Sequence, residues 1–155
     1  MSVRVALAQW EWEFAAGVGV RRFAGAVWKG RVDRFGDDSV ASHIHGAVGE
    51  YVVARLWDRH WSPDLAPNHA TGDVSGWEVR TRTDPEAREL IVRPDDPDNR
   101  VVILVRGTGR ELDVVGWIRA GDAKQSEWRR ETFGRVGYWV PVERLTPAPQ
   151  GTGSR

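Results

Sequence analysis

Val101-Val102-Ile103-Leu104-Val105 is an unbroken apolar run, and a strand built from it is apolar on both faces and needs cover above and below. Two segments ahead of it read as helices. From Ala8 to Lys29, Trp10, Phe14 and Val18 recur at i, i+4 spacing, with Glu11 and Glu13 in the first turns, where the helix dipole favours anions. Gly17, Gly19 and Gly25 weigh against this helix, at a cost of about 1 kcal/mol each relative to Ala. The second helix starts from a Ser42 cap and runs through Ile44, Val48, Tyr51, Val52 and Leu56 to Trp57, and Gly46 and Gly49 let it lie close to a neighbour. Asp33 to Ser39 between them reads as a loop.

The second half of the chain reads as strands. After Trp61, Pro63, Pro67, Asn68 and Gly72 mark irregular backbone with room for one short strand, and Val74-Ser75-Gly76 is a turn. Trp77 to Thr83 alternates, with Trp77, Val79 and Thr81 on one side and Glu78, Arg80 and Arg82 on the other. Strands follow at Leu90–Val92, Leu112–Ile118 and Tyr138–Val142. Between them, Arg93 to Asn99 is a solvated turn and Asp122 to Arg130 a short helix. The fold expectation is a single α+β domain over residues 1–145, a central mixed sheet flanked by helices in one layer pair. Residues 146–155, rich in Pro and Gly, are expected to be a disordered tail.

Composition removes several classes of function. The 155 residues contain no Cys, which excludes disulfides, thiolate-bound metals and thiol catalysis. Lys+Arg and Asp+Glu both number 22, so attraction to nucleic acid has to be local. Uncharged stretches such as Ser39 to Gly49 fall far short of the roughly 20 apolar residues of a membrane span, and the apolar run Phe14 to Val20 lacks the basic flank of a secretory signal. The expectation is a soluble cytoplasmic protein.

Three carboxylates stand out: Glu50 on the second helix, Asp73 at the entry of the tight turn, and Glu78 on the strand leaving it. Glu78 and Arg80 share a strand face, and the short turn brings Asp73 beside them. Hard divalent ions such as Mg²⁺ or Mn²⁺ prefer carboxylate oxygens. A metal so held polarises a phosphodiester and acidifies a bound water, with Arg80 holding the phosphate or the water. Each acid also has an ordinary structural reading: Glu50 as helix surface, Asp73 as a turn-former, and the Glu78, Arg80, Arg82 face as the solvated side of an antiparallel strand.

Gly72-Asp73-Val74-Ser75-Gly76-Trp77-Glu78-Val79-Arg80, behind a helix carrying Gly49-Glu50, resembles the metal site of the PD-(D/E)XK nuclease superfamily. The wider run, from His45-Gly46-Ala47-Val48-Gly49-Glu50 through Gly116-Trp117-Ile118 to Tyr138-Trp139-Val140-Pro141, is similar to small phage and prophage proteins assigned to that superfamily. The resemblance implies a restriction-endonuclease-like fold and a metal-dependent nuclease acting on DNA in preference to RNA. It places Glu50, Asp73, Glu78 and the Val79 carbonyl around Mg²⁺ or Mn²⁺, and Glu50, Asp73, Glu78 and Arg80 in catalysis. The family carries Lys where this chain has Arg80, and Arg cannot exchange a proton near neutral pH. The alternative is therefore a nuclease scaffold without turnover, serving as a nucleic-acid-binding or phage accessory module. Lys124, one of two lysines, is a candidate substitute cation, and Arg80, Arg82, Lys124, Arg129 and Arg130 are the candidate nucleic-acid contacts. The oligomeric state stays open, a homodimer included.

Overall fold

The apolar run becomes the buried centre of the sheet. The computed structural model describes residues 2–30, 39–64 and 72–149. Their order is β1 (Val3–Ala6), α1 (Gln9–Trp28), α2 (Val40–Leu56), β2 (Glu78–Arg82), β3 (Glu89–Val92), β4 (Val101–Arg106), β5 (Glu111–Arg119), α3 (Ala120–Ala123), β6 (Arg129–Thr132), β7 (Arg135–Pro141) and β8 (Thr146–Pro147). Strand β4 lies between β2, to which it is parallel, and β5, to which it is antiparallel. Strands β1 and β8 pair with the other side of β5. Strands β3, β7 and β6 form a separate antiparallel sheet.

The fold is thus α+β with a mixed sheet, but helices cover only one of its faces. Ile103 and Val105 of β4 pack with Ala15 and Val18 of α1 and Val48, Val52 and Val53 of α2. Val102 and Leu104 pack instead with Leu90, Val92 and Val140 of the smaller sheet. The result is three layers, helices over sheet over sheet, where one layer pair was expected. All four of these β4 side chains are fully buried, each contributing roughly 1.5–3 kcal/mol.

Several local expectations change. Helix α2 begins a turn before Ser42: Ser39 is the cap, and its hydroxyl accepts the Ser42 N–H at 3.1 Å. The Asp122–Arg130 helix reduces to the single turn α3 and a 3₁₀ turn at Ser126–Trp128. The chain then enters β6, because Phe133 and Gly134, both at positive φ, close a two-residue hairpin onto β7. The expected tail is ordered at its start. Thr146–Pro147 pairs with Gly116 and Trp117, and Ala148 is buried; a Cβ on Gly116 would sit 2.5 Å from the Thr146 carbonyl oxygen, so glycine is what admits this strand. Strand β1 was not anticipated. The loop expected at Asp33 to Ser39 lies outside the described residues except for the Ser39 cap, as do most of the irregular stretch after Trp61 and residues 150–155.

Two of the helix glycines, Gly19 and Gly49, are explained by the same kind of contact. A Cβ on Gly19 would lie 2.5 Å from the His43 carbonyl oxygen, and one on Gly49 would run into the Thr81 hydroxyl of β2. These close approaches seat α1 on α2 and α2 on β2. Gly17 faces open space. Gly19→Ala is therefore expected to cost about 1–3 kcal/mol through overpacking, whereas Gly17→Ala should gain up to about 1 kcal/mol of helix propensity. Urea midpoints check this, and equal midpoints would mean the helices do not meet at Gly19.

Candidate functional site

Glu50 lies on the part of α2 that α1 covers, and it is buried. The Arg22 guanidinium of α1 donates to both carboxylate oxygens at 2.9 Å, and the Trp61 indole N–H donates to Oε2 at 2.9 Å. Arg22 also donates through Nε to the Asp64 carbonyl at 2.8 Å. Burial still outweighs these partners, and the Glu50 carboxyl is pushed above its ordinary range.

The tight turn carries Asp73 to the sheet edge. Ser75 and Gly76 both take positive φ, as a two-residue hairpin requires, and Val74 bridges Trp77. The Val79 N–H then donates to Asp73 Oδ2 at 2.8 Å. Desolvation and the neighbouring Glu50 charge push the Asp73 carboxyl up from 3.8 to about 6, against the opposing pull of that hydrogen bond and of Arg80 and Arg22. Glu78 is buried too, and raised by desolvation and by the charges of Asp73 and Asp96 against the pull of Arg80.

Strand β2 is parallel to β4 at the edge of its sheet, and its Glu78–Arg80 side is covered, not solvated. Arg80 is paired with Glu78 through Nη1, and its Nη2 reaches Asp96 at 2.9 and 3.2 Å. Asp96 is buried and also accepts the Arg93 N–H at 2.8 Å, so the Arg93–Asn99 segment is not simply a solvated turn. Arg100 Nη1 stands 3.8 Å from Glu78 Oε2. The Arg80 Nε is buried and has no hydrogen-bond partner among the described residues.

Of the three acids chosen from sequence, Asp73 is an electrostatic neighbour of both Glu50 and Glu78, but Glu50 stands on the helix side of the sheet while Glu78, in register with Val102, is on the face toward the smaller sheet. The sequence reading missed Arg22, Asp96 and Arg100. In a chain whose basic residues are nearly all arginine, nothing distinguishes Arg22 or Arg100 beforehand. Asp96 had one signal, a turn-forming position between Pro94 and Pro97.

Most of the proposed nucleic-acid contacts have partners within the chain. Lys124 Nζ bonds the Asp96 carbonyl at 2.7 Å and Asp98 Oδ1 at 2.6 Å, so it braces the loop that holds Arg80 instead of meeting the acids. Arg82 reaches the Glu89 carbonyl. Arg130 forks onto Glu89 at 2.6 and 3.1 Å, and Arg129 is exposed on β6.

The carboxylates are hard oxygen donors of the kind Mg²⁺ or Mn²⁺ takes. Glu50, Asp73, Glu78 and Asp96 against Arg22, Arg80 and Arg100 leave one negative charge in excess. That donor chemistry suits a divalent cation beside Asp73. As arranged, however, no three acidic or histidine side chains among the described residues form a group that could hold a metal ion. No family model, no curated protein and no solved structure matches this chain, and none of the described helices is long and apolar enough to cross a membrane.

Substitutions at two acids of the cluster should act oppositely. The folded Asp73 carboxyl titrates above its unfolded value, so the folded state binds more protons between pH 4 and about 6. Its contribution to stability is accordingly lost as pH rises through that window, and the raised Glu50 and Glu78 act in the same direction. Asp73→Asn, which keeps an oxygen for the Val79 N–H, is expected to stabilise the fold by about 1–3 kcal/mol at pH 8 and by nothing below pH 4. Glu50→Ala removes the acceptor that Arg22 and Trp61 share and should cost about 3–5 kcal/mol at pH 8. Thermal melts of both variants across pH decide the matter; a destabilised Asp73→Asn at pH 8 would show the acid to be structural.

Proposed function

We propose that this chain is a metal-dependent nuclease of the restriction-endonuclease-like kind, hydrolysing phosphodiester bonds in DNA in preference to RNA. The observation that carries the reading is Asp73 at the edge of β2, flanked by Glu50 and Glu78, with its carboxyl pushed up to about 6. Structural roles do not call for two buried acids, Glu50 and Glu78, and a half-buried Asp73 to stand where each raises the next. Such a cluster is expected where a cation is to be received. The resemblance of Gly72–Arg80 and Gly49-Glu50 to a nuclease metal site points the same way.

In this reading Asp73 and Glu78, with the Val79 carbonyl, would hold Mg²⁺ or Mn²⁺, and Glu50 stands on their flank. When bound, the metal would supply charge neutralisation at the phosphodiester and a water of lowered pKa. The chain's own residues do the remainder. Val79 N–H fixes Oδ2 of Asp73, and Arg22 and Trp61 fix both oxygens of Glu50. Asp96 and Glu78 hold the Arg80 fork, which fixes its permanent positive charge beside the acids.

A second reading, a nuclease-like scaffold that binds nucleic acid without turnover, is favoured by Arg80 at the family's Lys position and by the lack of a three-acid metal group among the described residues. Mn²⁺ titration against a panel of single-stranded, duplex and branched DNA and RNA separates the two. A nuclease should cleave in Mn²⁺, lose cleavage at least 100-fold in Asp73→Asn, and retain or raise it in Arg80→Lys; these thresholds follow from removing one charge-stabilising group. Cleavage that survives Asp73→Asn would overturn the assignment. Absence of cleavage in wild type and Arg80→Lys alike, with binding retained, would establish the binding module.

A further inference from the structure

The outer face of the β3–β7–β6 sheet carries a groove of about 690 Å³ whose lining includes Ile91, Arg93, Phe133, Arg135 and Trp139. Two features of this groove are costly to the fold. Phe133 is 97% exposed, and it occupies a φ of +51° at the tip of the β6–β7 hairpin, a conformation that bulky side chains rarely adopt. An Asn or Gly would turn the hairpin with less strain. Exposing the ring there brings the core nothing, and strain kept at such a position is an indication of use.

Trp139 is set for the same use. A Cβ on Gly137 would lie 2.8 Å from the Trp139 ring, so the absence of a side chain at Gly137 lets the indole lie down over the strand. The Arg130 guanidinium stands 5.8 Å from the ring centroid. The groove thus has one aromatic side chain among its β-strands, a second at its rim, and Arg93 and Arg135 against the single acid Asp95 in its lining. Its wall, Arg93-Pro94-Asp95, runs directly into Asp96, which holds Arg80.

We infer that this groove binds single-stranded nucleic acid, its unstacked bases resting on Trp139 and Phe133 and its backbone running along the Arg93 side toward Asp73 and Arg80. Bases present π-faces only when unpaired, and aromatic rings on a sheet with arginines at the rim match that pairing of flat apolar face and phosphate. A duplex would shield its bases and offer only phosphates. The inference rests on the nucleic-acid reading above and narrows its substrate to an unpaired strand.

Fluorescence anisotropy with a labelled strand of about 20 nucleotides, and with the same strand annealed, tests it in EDTA, so that metal and cleavage play no part. The single strand is expected to bind more tightly than the duplex. Phe133→Asn, which suits the turn and so keeps the fold, should weaken strand binding about tenfold, and Trp139→Leu by at least as much, with little change for duplex. Equal affinity for the two forms, or strand binding unchanged in both variants, would overturn the inference even if the Mn²⁺ assay finds a nuclease. Strand binding lost in the variants supports it even if no cleavage is seen. Sedimentation of the wild type covers the remaining occupant: a dimer that Phe133→Asn dissolves, with no strand binding, would make the face a self-association surface and overturn it.

Discussion

The buried pair of Arg22 with Glu50 is the contact on which the helical layer and the acidic edge both depend. It joins α1 to α2 and, through Trp61 and the Asp64 carbonyl, ties the chain leaving α2 back onto both helices. Two side chains with only 8 and 10% of their surface accessible leave water at a cost of several kcal/mol per ion, and a fork-to-carboxylate geometry is what offsets it. The helices must stand very close for Arg22 to reach. Gly19 against the His43 backbone provides that approach, so a residue that weakens α1 as a helix strengthens it as a partner.

The pair also sets the electrostatics of what lies beside it. Glu50 spends its charge on Arg22, yet it still raises Asp73 across the helix–sheet boundary. Arg80 does for Glu78 and Asp96 what Arg22 does for Glu50. Asp73 is the member with no dedicated guanidinium, its single hydrogen bond among the described residues coming from a backbone N–H. A fold optimised for stability alone would place Asn there, because the amide satisfies the same donor without a desolvated charge. Retaining an acid at the least compensated point is the pattern of a site that trades stability for chemistry.

Much of this was legible where one pattern had one meaning. The Val101–Val105 run could only be a doubly covered strand, and β4 is one. The i, i+4 apolar spacing gave α1 and α2, and the short Val74–Gly76 turn tied Asp73 to Glu78. Other features lay in pairings that no local pattern records. Strands β1 and β8 are short and held by register with the distant β5; β6 pairs locally with β7, but Arg129-Arg130-Glu131-Thr132 is polar throughout and carries no period-2 signal. The layer on the second face of β4 was misread as helix because β3 looked like one more strand of the same sheet. It instead lies in the crossover between the parallel strands β2 and β4, where it pairs with β7.

That crossover explains why the charged side of β2 is not solvated. An edge strand whose outer residues are charged resists pairing with another chain, and Glu78-Val79-Arg80 would serve that purpose alone. Here the 93–100 segment folds back over the edge and buries Asp96 against Arg80, with Lys124 pinning the segment from the far side through the Asp96 carbonyl. Arg80 is the permanent positive charge beside the acids, and Lys124 fixes the loop that orients it. A lysine at position 80 would carry the charge on one nitrogen of a flexible stem, without the planar fork that meets Glu78 through one nitrogen and Asp96 through another. Arginine at that position is therefore coupled to the buried Asp96 loop, and the identity of residue 80 and the packing of the crossover are one structural fact.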